Sequence, residues 1–181
     1  MVNLWLVSAS TALLSLPSAA LAGIVADLYD AQAQAIVDSF SVAEVVGQMT
    51  QLDLSVVMND TTKTLNETSV RAFAKQYVGS YLNTYWSDPV GDKYGWNASE
   101  FRSLITRIQE ITMEENGGHP MIYGIDSVHS ANYVSGAAIF PQEINSGASF
   151  NPDLVYAMGH IASRDTEAAG ISWLFSPILE I

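Results

Sequence analysis

The chain predicts an α/β fold built on a parallel sheet. Three apolar runs carry that expectation: Tyr77-Val78-Gly79-Ser80-Tyr81-Leu82, Met121-Ile122-Tyr123-Gly124-Ile125, and Ile171 through Ile181. Each is separated from the next by a stretch whose apolar residues recur three and four apart, the helical period. Strand, helix, strand, helix, strand at this spacing requires right-handed crossovers, which make neighbouring strands parallel. The alternation by itself leaves an open sheet and a barrel cut short as alternatives.

Residues 1–22 read as a secretory signal peptide. Leu4-Trp5-Leu6-Val7 and Ala12-Leu13-Leu14 supply the apolar region, Ala20-Leu21-Ala22 is a small-x-small cleavage pattern, and Gly23 is the expected mature start. The leader has no Lys or Arg, so only the α-amino group is positive. An uncleaved anchor is the competing reading; serines in the run and Pro17 oppose it, because a span needs ~20 apolar residues. Ala26 to Phe40 then has a rough helical period at Leu28, Ala31, Ala35, Ile36 and Phe40. Ser41-Val42-Ala43-Glu44 is a capping-box pattern that opens a short helix through Val45, Val46 and Met49.

Residues 59–69 are polar and read as a surface loop, followed by a short helix from Thr68 to Gln76 with Val70, Phe73 and Ala74 inward. After the Tyr77 strand, Asn83 to Gly95 is a loop with Pro89 and Gly91. Asn97 with Glu100 is a second capping signal, for a helix through Phe101, Leu104, Ile105, Ile108 and Ile111 that Asn116-Gly117-Gly118 ends. The Met121 strand follows, then a loop with Gly136, Pro141 and Gly147. Asn151 caps the next helix with Pro152 at its first position, Leu154, Val155, Met158 and Ile161 form its apolar stripe, and Gly170 stops it.

Bulk composition narrows the function. With 181 residues, 49% of them hydrophobic, the chain suits one domain with a sizeable core, yet it is shorter than the about 250 residues of a complete (β/α)8 barrel. A formal net charge of -12 with seven Lys plus Arg argues against nucleic acid and against an anionic membrane surface. The chain has no cysteine, which removes disulfides, thiolate metal sites and a cysteine nucleophile. Its three histidines lack HxH or HExxH spacing, so neither metal nor cofactor is expected. No GxSxG, P-loop or GxGxxG pattern occurs. Sequons at Asn59-Asp60-Thr61, Asn66-Glu67-Thr68 and Asn97-Ala98-Ser99 agree with export to an extracellular location.

Asp126 is the foremost candidate for substrate binding. It ends an apolar strand at the rim where α/β folds hold ligands, and an ionised carboxylate accepts hydrogen bonds from two neighbouring hydroxyls. The alternative is a structural Asp that caps the next turn through the Ser127 or Val128 N–H. His129 either donates to a ligand hydroxyl or to Asp126, or props its loop. His119 lies at the opposite rim and His160 on a helix beside Arg164. Glu143 and Glu180 are weaker acidic candidates, and Asp165 and Glu167 point about 200° apart on one helix. Tyr85, Trp86, Tyr94 and Trp96 either wall a ligand subsite or pack their loop onto the core.

Several segments together resemble glycoside hydrolase family 3, the β-glucosidase-like enzymes, over about residues 40–181. They are Val45-Val46-Gly47-Gln48-Met49, Val78-Gly79-Ser80, Gly124-Ile125-Asp126-Ser127-Val128-His129, Ile139-Phe140-Pro141-Gln142, Ser149-Phe150-Asn151-Pro152-Asp153-Leu154-Val155 and Gly170-Ile171-Ser172-Trp173-Leu174-Phe175-Ser176-Pro177-Ile178-Leu179. Ser130 departs from the pattern, where members usually carry glycine. The resemblance implies the N-terminal part of a (β/α)8 TIM-type barrel, incomplete, over residues 23–181. It also implies that Asp126 binds hydroxyls of the terminal sugar of a β-linked glucoside or oligosaccharide.

The family removes β-D-glucosyl residues from non-reducing ends with retention, using a carboxylate nucleophile and a carboxyl acid/base. In the family both come from later segments, and neither has a counterpart here. No catalytic residue is therefore assigned, the chain alone is expected to be inactive, and a truncated copy is the expected explanation. The alternatives are a non-catalytic secreted sugar-binding or interaction module, and a β-xylosidase or β-N-acetylhexosaminidase of the same family.

Overall fold

The computed structural model describes residues 18–84 and 95–178, with side chains described from residue 29 onward. The chain divides into two units, one up to Val42 and one from Ala43. In the first unit, helix α1 spans Ser18–Ser39 and runs through the expected cleavage point at Ala22. Its Ala31, Ala35 and Ile36 are exposed rather than gathered on a buried stripe. No helix among the described residues is long and apolar enough to cross a membrane.

The second unit holds a four-stranded, wholly parallel sheet. Its strands are β1 (Gln51–Asp53), β2 (Ser80–Leu82), β4 (Ile122–Ile125) and β6 (Trp173–Leu174), adjacent in that order. A separate two-stranded parallel ladder joins β3 (Trp96–Asn97) to β5 (Val134–Ser135). The three anticipated strands are present but shorter: the last shrinks to two residues before Ser176-Pro177, a cis peptide. Strand β1 was not anticipated. Its register pairs Leu52 with Tyr81 and Tyr81 with Tyr123, which places these side chains on one face.

That face meets the helices. Tyr81, Tyr123 and Ile125 share one hydrophobic cluster with Phe101, Ile105, Ile108 and Ile111 of helix α4 (Ala98–Glu115), all 7% exposed or less. The apolar period read from the sequence is therefore the buried stripe of α4. Helix α2 covers Val42–Gln48 and α3 covers Glu67–Ala74. Arg107 pairs with Glu67 and Glu110, and Arg71 with Glu114 and Glu115, tying α3 to α4. Most of these side chains are solvent-exposed, so the pairs are screened and add little to stability.

Two glycines explain why α2 sits where it does. A Cβ at Gly79 would stand 2.1 Å from the Gln48 carbonyl oxygen, and one at Gly47 would stand 2.0 Å from that of Gln76. The Gly79 N–H donates to the Gly47 carbonyl at 3.1 Å, and Gln48 Nε2 donates to the Tyr77 carbonyl at 2.9 Å. Backbone approaches this close admit no side chain.

Helix α5 (Glu143–Ala148) lies where a loop was expected, and α6 spans Pro152–Ala168. As anticipated, Asn151 caps α6 through the Leu154 N–H at 3.2 Å. Its buried side, however, is Ala162 and Thr166; Leu154 and Val155 of the expected stripe are 49% and 41% exposed. Met158 and Ile161 of that stripe are half-buried.

Candidate functional site

The C-terminal ends of β1, β2 and β4 gather several polar groups. Asp53 ends β1. Its Oδ1 accepts from the Ser55 N–H at 2.9 Å and from the Ser55 hydroxyl, and its Oδ2 accepts from Asn83 Nδ2 at 2.6 Å. Asn83 sits just past β2 at φ 72°, a left-handed geometry that asparagine tolerates better than most residues. Its N–H donates to the Gly124 carbonyl at 3.2 Å, and its own carbonyl accepts from the Tyr123 hydroxyl at 2.7 Å. One polar clasp therefore joins three strand ends.

Burial pushes the Tyr123 hydroxyl far above its usual pKa, reinforced by the Asp53 charge, so it stays a donor at physiological pH. Burial likewise pushes Tyr81 up to about 12. Partial burial raises the Asp53 carboxyl, but the bonds from Ser55 and Asn83 outweigh it and hold the group below the usual carboxylate range. A carboxyl depressed on folding stabilises the native state above its unfolded pKa of about 3.9, and that contribution disappears as pH falls through the folded value. Asp53→Asn should therefore lower stability more at pH 7 than at pH 3, read from urea midpoints across that range. Equal losses at both pH values would contradict the clasp's charge dependence.

Asp126 follows β4 directly and is half-buried. The Ser127 N–H donates to the Ile125 carbonyl at 3.1 Å rather than to the Asp126 side chain, so the cap considered for this residue does not form. The Asp126 carboxylate makes no hydrogen bond or ion pair among the described residues. Its main chain, in contrast, is held on several sides. The Phe175 N–H donates to the Ile125 carbonyl at 2.9 Å. Thr166 on α6 donates to the Ser127 hydroxyl at 3.1 Å, both residues being buried. The Asn132 amide, oriented to suit its neighbours, donates to the Asp126 and Ser130 carbonyls at 3.2 and 2.9 Å.

His129 props the loop. Its Nδ1 lies 2.8 Å from the Phe140 carbonyl, which can only accept, so Nδ1 carries the proton; the Phe140 N–H returns a bond to the His129 carbonyl at 3.0 Å. This pair ties the Asp126 segment to the Phe140 segment. His119 is bound to Asn116 through main-chain groups at the helix-to-strand turn, and His160 is exposed on α6. Arg164 pairs with Asp165. Glu143 opens α5 with one carboxylate oxygen buried and without a partner among the described residues. Trp96 packs edge-on against Phe101, with ring centroids 5.1 Å apart, the packing role considered for it. Tyr85, Trp86, Tyr94 and Glu180 lie outside the described residues.

Ser130 adopts φ 124°, and its buried hydroxyl has no partner among the described residues. Glycine reaches that conformation without strain, which gives a physical reason for the residue the resemblance leads one to expect there. Such a backbone costs a side-chain-bearing residue about 1–3 kcal/mol. Relief of strain and of the unpartnered hydroxyl should outweigh the extra chain entropy of glycine, about 1 kcal/mol. Ser130→Gly should therefore raise stability by about 1–2 kcal/mol in urea denaturation; a loss would show that the serine is favourably placed.

Asp53 and the clasp it anchors were not read from the sequence. The usable signal was Gln51-Leu52-Asp53, an apolar residue followed by an acid just before a change of period, as at Ile125-Asp126.

Comparisons with known proteins agree with this architecture. Residues 41–181 match the family model described as "Glycosyl hydrolase family 3 N terminal domain". A "Lysosomal beta glucosidase" of Dictyostelium discoideum is 42% identical over 149 residues, covering 81% of this chain and 18% of that protein. A solved structure of an exo-1,3/1,4-beta-glucanase from a Pseudoalteromonas species superposes with a TM-score of 0.65 at 26% identity, covering 81% of this chain and 22% of that one. The chain thus spans less than a quarter of the length of either relative. A parallel sheet with its helices on one face, in this strand order, is part of a TIM-type barrel. The chain belongs to glycosyl hydrolase family 3, of which it carries N-terminal-domain sequence.

Proposed function

We propose that this segment supplies the sugar-gripping carboxylate of an exo-acting, retaining β-glucosidase, and that Asp126 accepts hydrogen bonds from hydroxyls of the terminal glucosyl residue. The observation that carries the reading is the Asp126 carboxylate at the C-terminal end of β4, which bonds to no described residue, on a main chain fixed by α6, Asn132 and the strand after it. Retaining hydrolysis needs two carboxyls about 5–5.5 Å apart in one site. Within the described residues Asp126 has the free geometry for binding, while Asp53 is fully engaged by Ser55 and Asn83. The nucleophile and the acid/base are assigned to sequence other than these 181 residues. The relatives' names favour β-linked glucose over xylose or N-acetylhexosamine. A lumenal or extracellular location fits the leader and the lysosomal relative.

The test compares two proteins on a nitrophenyl β-glucoside. The 181-residue chain should release no nitrophenol above buffer, and a longer family 3 protein that carries this segment should turn over. Hydrolysis by the 181-residue chain itself would refute the assignment. A sugar-binding module without catalysis is the second reading, favoured by the preformed state of Asp126. Calorimetric binding of glucose to the short chain, with no turnover in the longer protein, would select it.

A further inference from the structure

The three sequons are far apart in sequence, but the fold brings them around one groove. A groove of about 440 Å³ is lined by Met58 beside Asn59, by Leu65 and Glu67 on either side of Asn66, and by Trp96 and Ser99 flanking Asn97. Each asparagine is engaged in the same way. Asn59 Oδ1 accepts from the Thr61 and Thr62 N–H groups at 2.9 and 3.0 Å, Asn66 Oδ1 from Ser69 at 3.2 Å, and Asn97 Oδ1 from Glu100 at 3.0 Å. In all three the amide nitrogen Nδ2 has no partner among the described residues. The hydroxyls two residues on, at Thr61, Thr68 and Ser99, likewise make no described hydrogen bond.

Capping alone does not account for this pattern. Asp, Ser and Thr cap helices about as well as Asn, and a cap has no use for a hydroxyl two residues later. N-glycosylation uses both features. We propose that Asn59, Asn66 and Asn97 all carry N-linked glycans, forming one carbohydrate-covered face around this groove. Nδ2 attacks C1 of an oligosaccharide held on a lipid pyrophosphate. The N–C1 bond forms, the C1–O bond breaks, the lipid pyrophosphate leaves, and one amide proton passes to a base of the transferase. Oδ1 is untouched, so glycan and cap coexist. Helices α3 and α4 follow parallel strands and begin at the strands' C-terminal ends, so this face lies at the same end of the sheet as Asp126.

The inference rests on entry into the secretory pathway, and the test separates the two. The chain is expressed in a eukaryotic host behind a proven secretion leader and, in parallel, behind its own residues 1–22. With the proven leader, peptide N-glycosidase should lower the intact mass by three glycans, and peptide mapping should find aspartate at positions 59, 66 and 97. Any of the three left unmodified in the secreted chain overturns the proposal. Glycans with the proven leader but no export with the native one would refute the leader while supporting the glycan face. Ser99→Ala and Asn97→Asp should each remove one glycan. After glycan release, Asn97→Asp should melt with the parent and Asn97→Gln several degrees lower, because only the former keeps the cap. Loss of no glycan in Ser99→Ala overturns the assignment at Asn97.

Discussion

Replacing Asp126 by alanine in a family 3 hydrolase that carries this segment should lower kcat/KM on an aryl β-glucoside by about two to four orders of magnitude. Each hydrogen bond to a charged group contributes about 1.5–3 kcal/mol. Two sugar hydroxyls donating to one carboxylate therefore stabilise the bound state by about 3–6 kcal/mol, at 1.36 kcal/mol per tenfold. Asp126→Asn keeps one acceptor oxygen but loses the charge, so its loss should be smaller. The fold should tolerate both changes, because the carboxylate makes no described bond within the protein. Thermal midpoints within a degree or two of the parent, alongside the kinetic loss, would separate binding from folding. A midpoint falling as steeply as activity would show that Asp126 is structural.

Gly79→Ala should be the most damaging small substitution in the sheet, lowering stability by about 3–5 kcal/mol. Overpacking a core typically costs about 1–3 kcal/mol when side chains can shift. Here the new methyl meets the Gln48 backbone, with its carbonyl oxygen at 2.1 Å, its carbonyl carbon at 2.8 Å and its Cα at 2.9 Å. Relief requires α2 to move off β2, which breaks the Gly79–Gly47 hydrogen bond and strains the Gln48–Tyr77 contact. Urea unfolding followed by far-UV circular dichroism measures the loss. Gly147→Ala is the control: a Cβ there meets nothing within 4 Å, so stability should change by under about 1 kcal/mol. Equal effects at the two positions would mean that the close approach does not hold α2 in place.

The parts of the fold that were legible in sequence are those where a long period or a strong cap speaks for itself. Helix α4 announces itself through Phe101, Ile105, Ile108 and Ile111 and through the Asn97–Glu100 capping box, and both are present. The place of Asp126 at the end of a strand was legible because five apolar residues lead up to it and polar residues follow at once; its role is a proposal. Strand β1 was not, because three residues give too few alternations and the apolar pattern runs on into the 3-10 turn at Leu54–Val57. Asp53 was missed with it. Helix α5 was hidden by its six-residue length and by Gly147 within it. The α6 stripe was misassigned because period locates an apolar face but does not say which turns of it are covered. Ala162 and Thr166 are buried, and Thr166 bonds to Ser127 in the Asp126 loop, a property that hydrophobicity ranks low. The roles of Gly47 and Gly79 needed three dimensions, since each is explained by a backbone from another segment.

The proposed role of Asp126 requires its carboxylate to take hydrogen bonds from the sugar. The most direct measurement is a cycle between Asp126→Ala and a series of monodeoxy aryl β-glucosides, assayed as kcat/KM in the longer protein. For the hydroxyls that Asp126 accepts, removal should cost the parent enzyme about tenfold or more and cost the alanine variant almost nothing further. Equal penalties in parent and variant at every hydroxyl position would contradict the account.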